Sequence, residues 1–351
     1  MESATVRAYN AVENLHHRYL TGLILRTIVM RGSADASELV FRLFRRQQQA
    51  TLLPGIKKLG LEGLPDAVKC AQYHYLSNYL GDVGVAYGYE SDQKAWVRYP
   101  PPRWIWDGTA ICGIPTEVSR AMMRGWHSHN GVSLNNPRLG FVCTKQTVDG
   151  QPGLEGYFCE YDRDLKPDER LRFAPEEESP EFDRAAMPKL DAGDWPEERL
   201  RKALRNYAMQ YVRNILPEMV KLFGPEEAAN LGRTTGRLIG MQYYVETADL
   251  LGVKGSDPAT FGAFMAAFGA GQDDDTEVIA SGDETVVRQT TWRLMRDIDT
   301  VSPSVFDSLN GLWEGALSVH NRFLALQVAK RLDRGEDCFE WRIRDRRDVQ
   351  M

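Results

Sequence analysis

The sequence predicts an α+β protein with two pseudo-repeat halves, each of three to four helices and a small, mostly antiparallel sheet. The first observation behind this prediction is an internal repeat. When residues 7–71 are placed over residues 199–263, thirteen positions are identical without a gap, whereas about four are expected by chance at ordinary composition. The second observation is that the hydrophobic period changes from helical to strand-like within each half, in the same order.

The helical part of the two halves is punctuated in the same way. Leu, Ala, Arg and Glu recur at helical spacing over residues 5–51 and 196–251, and a glycine interrupts each stretch, Gly32 or Gly224. A further glycine then ends the second helix at a position suited to positive φ, and a proline opens the third: Gly60 and Pro65 in the first half, Gly252 and Pro258 in the second. We therefore predict three consecutive helices at the start of each half.

Strands follow these helices. Alternating residues around a turn predict a hairpin in each half, at 85–99 and 276–294. A further helix is predicted in each half, at 115–129 in the first and 302–322 in the second. Asn130-Gly131 is typical of the C-cap of the first of these helices. The last strands are predicted at 139–147, 154–162 and 337–343.

The segment between the halves has a different composition. Residues 163–195 are rich in proline and acidic residues and have no hydrophobic period, which is typical of a linker or surface excursion. The sequence therefore predicts a first repeat at 1–162, this linker, and a second repeat at 196–345.

The bulk composition excludes several classes of protein. The chain has 351 residues, 43% hydrophobic and 26% charged, with a net charge of −6. The acidic balance argues against nucleic-acid binding, which needs surplus Lys and Arg. No secretory signal or membrane span is visible. The five cysteines lack CxxC spacing, which fits reduced thiols in the cytoplasm. We expect a cytoplasmic monomer or homodimer that binds neither nucleic acid nor membrane.

Only the first half carries two histidines after its fourth helix. The string 125–131 reads Gly-Trp-His-Ser-His-Asn-Gly, while its counterpart at 312–318 reads Leu-Trp-Glu-Gly-Ala-Leu-Ser. His127 and His129 can act as general acid and base or contact substrate. On an extended backbone they can hold a divalent metal with Asp162. On a helix they point about 200° apart and serve structural roles near its C-terminus. These alternatives stay open, and no cofactor is predicted.

Two further side chains are candidates for the chemistry. Cys112 lies just before Pro115, near the predicted start of the helix that ends at the histidines, where backbone N–H groups lower a thiol pKa. A Cys112 thiolate with His127 or His129 as base would form a nucleophilic pair. A helix of the predicted length separates Cys112 from His127 by roughly 20 Å, and the alternative role of Cys112 is that of a small buried residue. Glu314 aligns with His127, and the two would meet if the halves pack face to face.

A dense set of arginines and tryptophans precedes that helix. Arginine can clamp a substrate carboxylate over an apolar wall. The candidate substrate-binding residues are Arg98, Arg103, Trp104, Trp126 and Asn130. The alternative is a set of core aromatic residues with exposed arginines. Arg98 and Arg103 recur as Arg288 and Arg293, which favours a role in the shared fold.

The closing strand, with Gly335, Asp337, Cys338 and Phe339, resembles the Gly-Asp-x-Cys-x-Phe ending of two related groups. These are the 4-vinyl reductase small-molecule-binding domains and the L-2-amino-thiazoline-4-carboxylate hydrolase-like proteins, here in tandem duplication. The first half ends similarly, at 156–162. The pattern departs from the family in that the glycine is one residue farther from Asp337 and Cys338 follows Asp337 directly, so no family catalytic residue is placed. The resemblance implies a compartment for a small organic molecule.

These observations lead to two hypotheses of function. The first is a hydrolase that acts on a small organic acid or a cyclic amide-like compound, with His127 or His129 as acid or base and help from Cys112 or Glu314. The second is a small-ligand-binding or sensor module without catalysis. The sequence contains no Gly-rich phosphate loop, no GxSxG and no HExxH, so nucleotide binding, serine hydrolysis and zinc proteolysis of that type are not expected.

Overall fold

The structure, a computed structural model, describes residues 3–79, 84–102, 104–190, 193–281, 284–298 and 300–349. Its helices and its two small sheets, in two halves, confirm the predicted α+β class. The helices are α1 Ala4–Lys58, α2 Asp66–Tyr79, α3 Thr116–Gly125, α4 Asn130–Ser133, α5 Glu197–Phe223, α6 Pro225–Leu251, α7 Pro258–Gly271 and α8 Pro303–His320. The strands are β1 Ala86–Ser91, β2 Lys94–Tyr99, β3 Leu139–Lys145, β4 Leu154–Glu160, β5 Leu171–Phe173, β6 Thr276–Ser281, β7 Glu284–Gln289, β8 Leu324–Lys330 and β9 Phe339–Asp345.

The helical punctuation predicted from the repeat is confirmed. Gly32 breaks α1 with φ 86° and ψ 170°, and Gly224 separates α5 from α6 with φ 82° and ψ 163°. Both conformations lie at positive φ, where a residue without Cβ is favoured. Gly60 and Gly252 also have positive φ at the ends of the next helices. The two halves therefore share local backbone geometry as well as sequence.

The sheets share a strand order. One has the order β1-β2-β4-β3-β5 and the other β6-β7-β9-β8, so the first four strands of each follow the same path. β5 pairs in parallel with β3 and comes from the segment predicted as a linker. β8 was not predicted from the sequence, and the strand predicted to extend to residue 294 ends at Gln289.

The packing divides the chain into two compact units. Unit 1 contains the described residues of 1–26 and 201–351, and unit 2 contains those of 27–200. The N-terminal part of α1 thus belongs to the unit that holds the second repeat. The predicted repeat boundaries at 162 and 196 were placed by sequence similarity and not by packing, so the two units do not test them, and they stay a prediction.

Unit 1 is built on close contact between α6 and α8. A Cβ added to Gly315 of α8 would lie 2.1 Å from the carbonyl oxygen of Arg237 on α6, so glycine is required for the two backbones to approach this closely. α7 packs on the sheet through a buried cluster that includes Phe261, Phe264 and Phe339. Among the helices of the described residues, none combines the length and the apolar character needed to cross a bilayer.

The segment around the histidines differs from the prediction. The helix predicted over 115–129 ends at Gly125, and His127–His129 form a 3₁₀ turn. Asn130 begins α4 with φ −58°, so the predicted C-cap at Asn130-Gly131 is wrong. The glycine has another role, because a Cβ on Gly131 would lie 2.7 Å from the carbonyl oxygens of Asn136 and Leu139. Gly131 thus permits a tight turn into β3.

Candidate functional site

The structure places His127 in the interior of unit 2. Its side chain is buried and stacks on the ring of His74 from α2, with centroids 4.4 Å apart and an interplanar angle of 12°. Phe141 of β3 packs on the same ring at 4.5 Å. His127 therefore lies among aromatic rings of the core.

Two of the candidate substrate-binding residues belong to this interior. Asn130 is fully buried, and its Nδ2 donates to Nε2 of His74 at 3.2 Å. Gln48 Nε2 donates to Asn130 Oδ1 at 3.3 Å, and the Trp126 ring lies 6.0 Å from that of His74. Asn130 and Trp126 thus help to build the core around His127.

His129 has a different environment. It is half-buried, and burial together with the positive charges of Arg45 and Arg170 lowers the pKa of its imidazole to about 4. The ring is therefore neutral at pH 7. A neutral imidazole can accept a proton as a base, but it is a poor acid at that pH.

Cys112 is not bonded to the histidines. It is exposed on the 3₁₀ turn Gly108–Gly113, before α3 begins at Thr116. Within the part of the chain that the structure describes, no hydrogen bond joins Cys112 to His127 or His129. The nucleophilic pair stays a prediction.

Glu314 forms an ion pair in unit 1. Nη2 of Arg233 donates to its Oε1 at 2.7 Å and Nε of Arg233 donates to its Oε2 at 3.0 Å, while Asn310 Nδ2 donates to Oε1 at 3.0 Å. His127 belongs to unit 2, and the expected meeting of Glu314 with His127 stays a prediction.

Arg98 has a partner in the fold. It forms an ion pair with Glu155, its guanidinium lies 4.6 Å from the centroid of the Phe182 ring, and its counterpart Arg288 pairs with Glu340 at 2.9 Å. The same pairing in both halves supports a role in the shared fold. Arg103 and the Trp104 side chain lie outside the described residues.

The three residues predicted as possible metal ligands, His127, His129 and Asp162, do not form a metal site. Across the described residues, no three His, Cys, Asp or Glu side chains converge as a metal site. His127, His129 and Asp162 are all described, so they form no such group in this conformation.

Unit 1 instead contains a cavity that sequence reasoning did not find. The enclosed volume is about 50 Å³, and about 470 Å³ of free space is present when the open mouth and the solvent in it are included. Since a closed cavity that binds benzene has about 150 Å³, a ring in this cavity would extend into its mouth. The aromatic lining consists of Phe268, Trp292, Phe306, Trp313, Phe339 and Trp341. The remaining lining residues are Leu294, Leu309, Leu312, His16, Gln272, Gln289 and Asn310. Ligand sites in proteins combine an apolar lining with few polar groups in this manner.

His16 contributes a neutral imidazole to the cavity. It is 2% exposed, and burial lowers the pKa of its imidazole to about 4. Nδ1 lies 2.8 Å from the carbonyl oxygen of Val12. Because a carbonyl only accepts, Nδ1 carries the proton and Nε2 has a free lone pair. The ring also stacks on Phe268 at 5.8 Å, which fixes its position against α7.

Two glutamines bring further hydrogen-bonding atoms to the cavity, and each is 8% exposed. Gln289 Nε2 donates to the carbonyl oxygen of Thr291 at 2.8 Å, which leaves Oε1 as an acceptor. The side-chain amide of Gln272 makes no hydrogen bond with any described residue. Buried amides in native proteins are normally paired with protein, water or ligand. Both side chains can therefore form hydrogen bonds with a water molecule or a ligand inside the cavity.

The aromatic walls are held by neighbouring polar groups. Trp341 Nε1 donates to Asn310 Oδ1 at 2.9 Å, and Asn310 is in turn held by Glu314. On another side, the turn that carries Trp292 is fixed by Asp274, whose Oδ1 accepts from Thr291 Oγ1 at 3.1 Å and from the backbone N–H of Arg293 at 2.7 Å. Glu314, singled out by the sequence, therefore supports the cavity wall.

Three lining residues of the cavity, Gln289, Asn310 and Trp341, have different residues at the aligned positions of the first repeat. The alignment of β2 with β7 and of α3 with α8 places Tyr99 opposite Gln289 and Met123 opposite Asn310. The strand registers place Gly156 of β4 where Trp341 stands in β9. Gln289 and Asn310 interrupt apolar patterns, and that is the one sequence signal that could have drawn attention to them.

No protein-family model matches the chain, and no curated protein matches it. A solved structure that it resembles is a trafficking protein particle complex subunit 3 from Naegleria fowleri covalently bound to palmitic acid. That likeness has 16% sequence identity and a TM-score of 0.32, and it covers 39% of this chain and 92% of that chain. A TM-score this low carries no inference about fold or ligand.

Proposed function

We propose that this protein binds a small, uncharged, aromatic or heteroaromatic molecule in the cavity of unit 1. One observation carries the proposal. His16, Gln272 and Gln289 are each more than nine-tenths buried, and each offers a hydrogen-bonding atom to the same aromatic cavity. This is the second of the two hypotheses from the sequence, the small-ligand-binding or sensor module.

The polar groups support a ligand with hydrogen-bond donors. A buried polar atom left unpaired costs about 1–3 kcal/mol, and a ligand or water that pairs with it removes that cost. Nε2 of His16 and Oε1 of Gln289 are acceptors at pH 7. A ligand N–H or O–H group satisfies either one.

The lining supports an uncharged ligand. None of the described residues that line the cavity is charged at pH 7, because His16 is neutral there. Moving an unpaired carboxylate or ammonium group into such surroundings costs far more than moving a neutral ring. Of the two substrate classes that the sequence suggested, the cyclic amide-like compound therefore fits this cavity better than the organic acid.

The hydrolase hypothesis stays a prediction. His127 and His129 lie in unit 2, while the cavity described above lies in unit 1. Turnover of cyclic amides by the purified protein, lost in a His129→Asn variant, would support it.

The binding proposal is tested with a matched pair of probes. Indole and indole-3-carboxylate have the same ring and differ in charge at pH 7. We expect ligand-observed NMR to show binding of indole and at least about tenfold weaker binding of the carboxylate, since burying the charge is costly.

A variant that fills the cavity locates the site. Leu309 is half-buried and lines the cavity, so Leu309→Trp should abolish indole binding. Leu238 is 49% exposed on α6, and Leu238→Trp is the matched control that should bind as the wild type does. Equal binding of indole by the wild type and by Leu309→Trp would refute this location, and absence of binding to the wild type would refute the proposal.

A further inference from the structure

We infer that the cavity of unit 1 recognises the edge of a cyclic amide, the adjacent N–H and C=O groups of a lactam-type ring, through the side chain of Gln272. The inference rests on the proposed function, because it names the chemical class of the ligand in the same cavity. It goes further in assigning the specificity to one side chain.

The argument begins with the chemistry of the glutamine side chain. A carboxamide presents a donor and an acceptor side by side. Its complement is therefore a group with N–H and C=O on one edge, as when glutamine reads the edge of adenine through paired bonds. An acyclic secondary amide is trans, so that its N–H and C=O point to opposite sides. A lactam ring holds the amide cis and brings both groups to one edge.

The position of Gln272 is fixed by the backbone. Gln272 follows the last residue of α7, and its N–H donates to the carbonyl oxygens of Phe268 at 3.1 Å and of Gly269 at 2.9 Å. Its own carbonyl oxygen accepts from Nη1 of Arg293 at 3.3 Å. The carboxamide thus starts from an anchored backbone, and less ordering is required when a ligand binds.

The neighbouring groups favour the same ligand. Nε2 of His16 and Oε1 of Gln289 accept hydrogen bonds and can pair with donors on a ligand other than the amide N–H that Gln272 binds. The rings of Phe268 and Trp313, edge-on at 5.3 Å, supply flat apolar walls for a planar ring.

The arginines and carboxylates nearest the cavity are paired with one another, so they do not call for a cation, which an aromatic cage could otherwise attract. Arg205 and Arg293 lie beside the cavity residues, where the charge of Arg205 acts on His16 and Arg293 bonds to Gln272. Both arginines are paired with Asp273, so they do not call for an anionic ligand either. A neutral ring with an N–H/C=O edge pairs with the carboxamide of Gln272 and brings no charge into the cavity.

The experiment compares three probes by ligand-observed NMR titration at pH 7. They are 2-pyridone, its isostere 2-pyranone, in which a ring oxygen replaces the N–H, and benzene. Because an unmade hydrogen bond to a buried group costs about tenfold in affinity, we expect 2-pyridone to bind about tenfold more tightly than 2-pyranone. In Gln272→Leu this preference should disappear, while benzene binding persists.

Gln242→Leu on the exposed surface of α6 is the matched control and should keep the preference. The inference is overturned if the wild-type protein binds 2-pyridone and 2-pyranone equally, a result that does not depend on the folding of any variant. Retention of the preference in a folded Gln272→Leu protein overturns it as well. If indole or benzene still binds in either case, the proposed function stands. If none of the probes binds, both fall.

Discussion

The neutral imidazole of His16 has a consequence for stability that can be measured without a ligand. The ordinary pKa of a histidine is near 6.5, whereas burial lowers that of His16 to about 4. Between these values the unfolded chain binds a proton that the folded chain does not. The free energy of unfolding therefore falls as the pH is lowered from about 6.5 to about 4.

The size of this effect follows from the two pKa values. At about 1.4 kcal/mol for each pKa unit, the contribution of His16 is about 3 kcal/mol, and it is fully present above pH 6.5. His16→Asn is the variant of choice, because its Nδ2 can still donate to the carbonyl oxygen of Val12 while the basic nitrogen is gone. The variant should lack this part of the acid sensitivity.

The assay is urea unfolding at a series of pH values from 4 to 7.5, followed by tryptophan fluorescence and circular dichroism. The measured quantity is the difference in unfolding free energy between wild type and His16→Asn, which should change by about 3 kcal/mol across the window. His129→Asn is the control, since the pKa of His129 is also about 4 but this residue lies in unit 2. Its effect should add to that of His16 in the double variant.

Two results would refute the reasoning. If His16→Asn has the same pH profile as the wild type, His16 is not a buried neutral base in the folded protein. If NMR shows that the His16 ring titrates near pH 6.5, its burial in the folded state is wrong. Either result would also remove one of the acceptors on which the ligand proposal depends.

Two further predictions concern the frame around the cavity. Gly315→Ala should lower the free energy of unfolding by about 1–3 kcal/mol, because its Cβ would meet a carbonyl oxygen at 2.1 Å. Gly63→Ala, which meets nothing within 4 Å, is the control in the same denaturation assay. Burial raises the pKa of Asp274 to about 6, so its contribution to unfolding free energy falls by about 3 kcal/mol as the pH rises from about 4 to about 6. Asp274→Asn should abolish that fall, and an unchanged pH profile would contradict the assignment.

Much of the fold was readable from the sequence because the signals are local. A glycine at a position of positive φ, such as Gly32 or Gly224, acts within a few residues. The same holds for the caps and hairpins that the two halves share. The strand β8 was not predicted, because its side chains do not alternate clearly between buried and exposed positions. Its register depends on the neighbouring strand.

The candidate residues from the sequence lie elsewhere than the cavity of unit 1, and their role stays a prediction. The pattern at 125–131 drew attention to His127 and His129, and the structure places the first in an aromatic core and the second beside two arginines. Glu314 lies near the cavity, where it does not line the cavity itself but accepts a hydrogen bond from the lining residue Asn310. A short motif shows which side chains are close in sequence and does not show what surrounds them.

The two related α+β halves could be predicted from the amino-acid sequence alone, because periodicity, turn residues and repeated glycines act over short stretches of chain. The cavity proposed as the ligand site arises only from tertiary packing. His16 comes from the start of α1, and Gln272 and Gln289 come from the second repeat. Their burial, their unpaired atoms and the lowered pKa of the imidazole arise when distant segments pack into unit 1. Desolvation depends on all the atoms around a group, and no local pattern specifies those atoms.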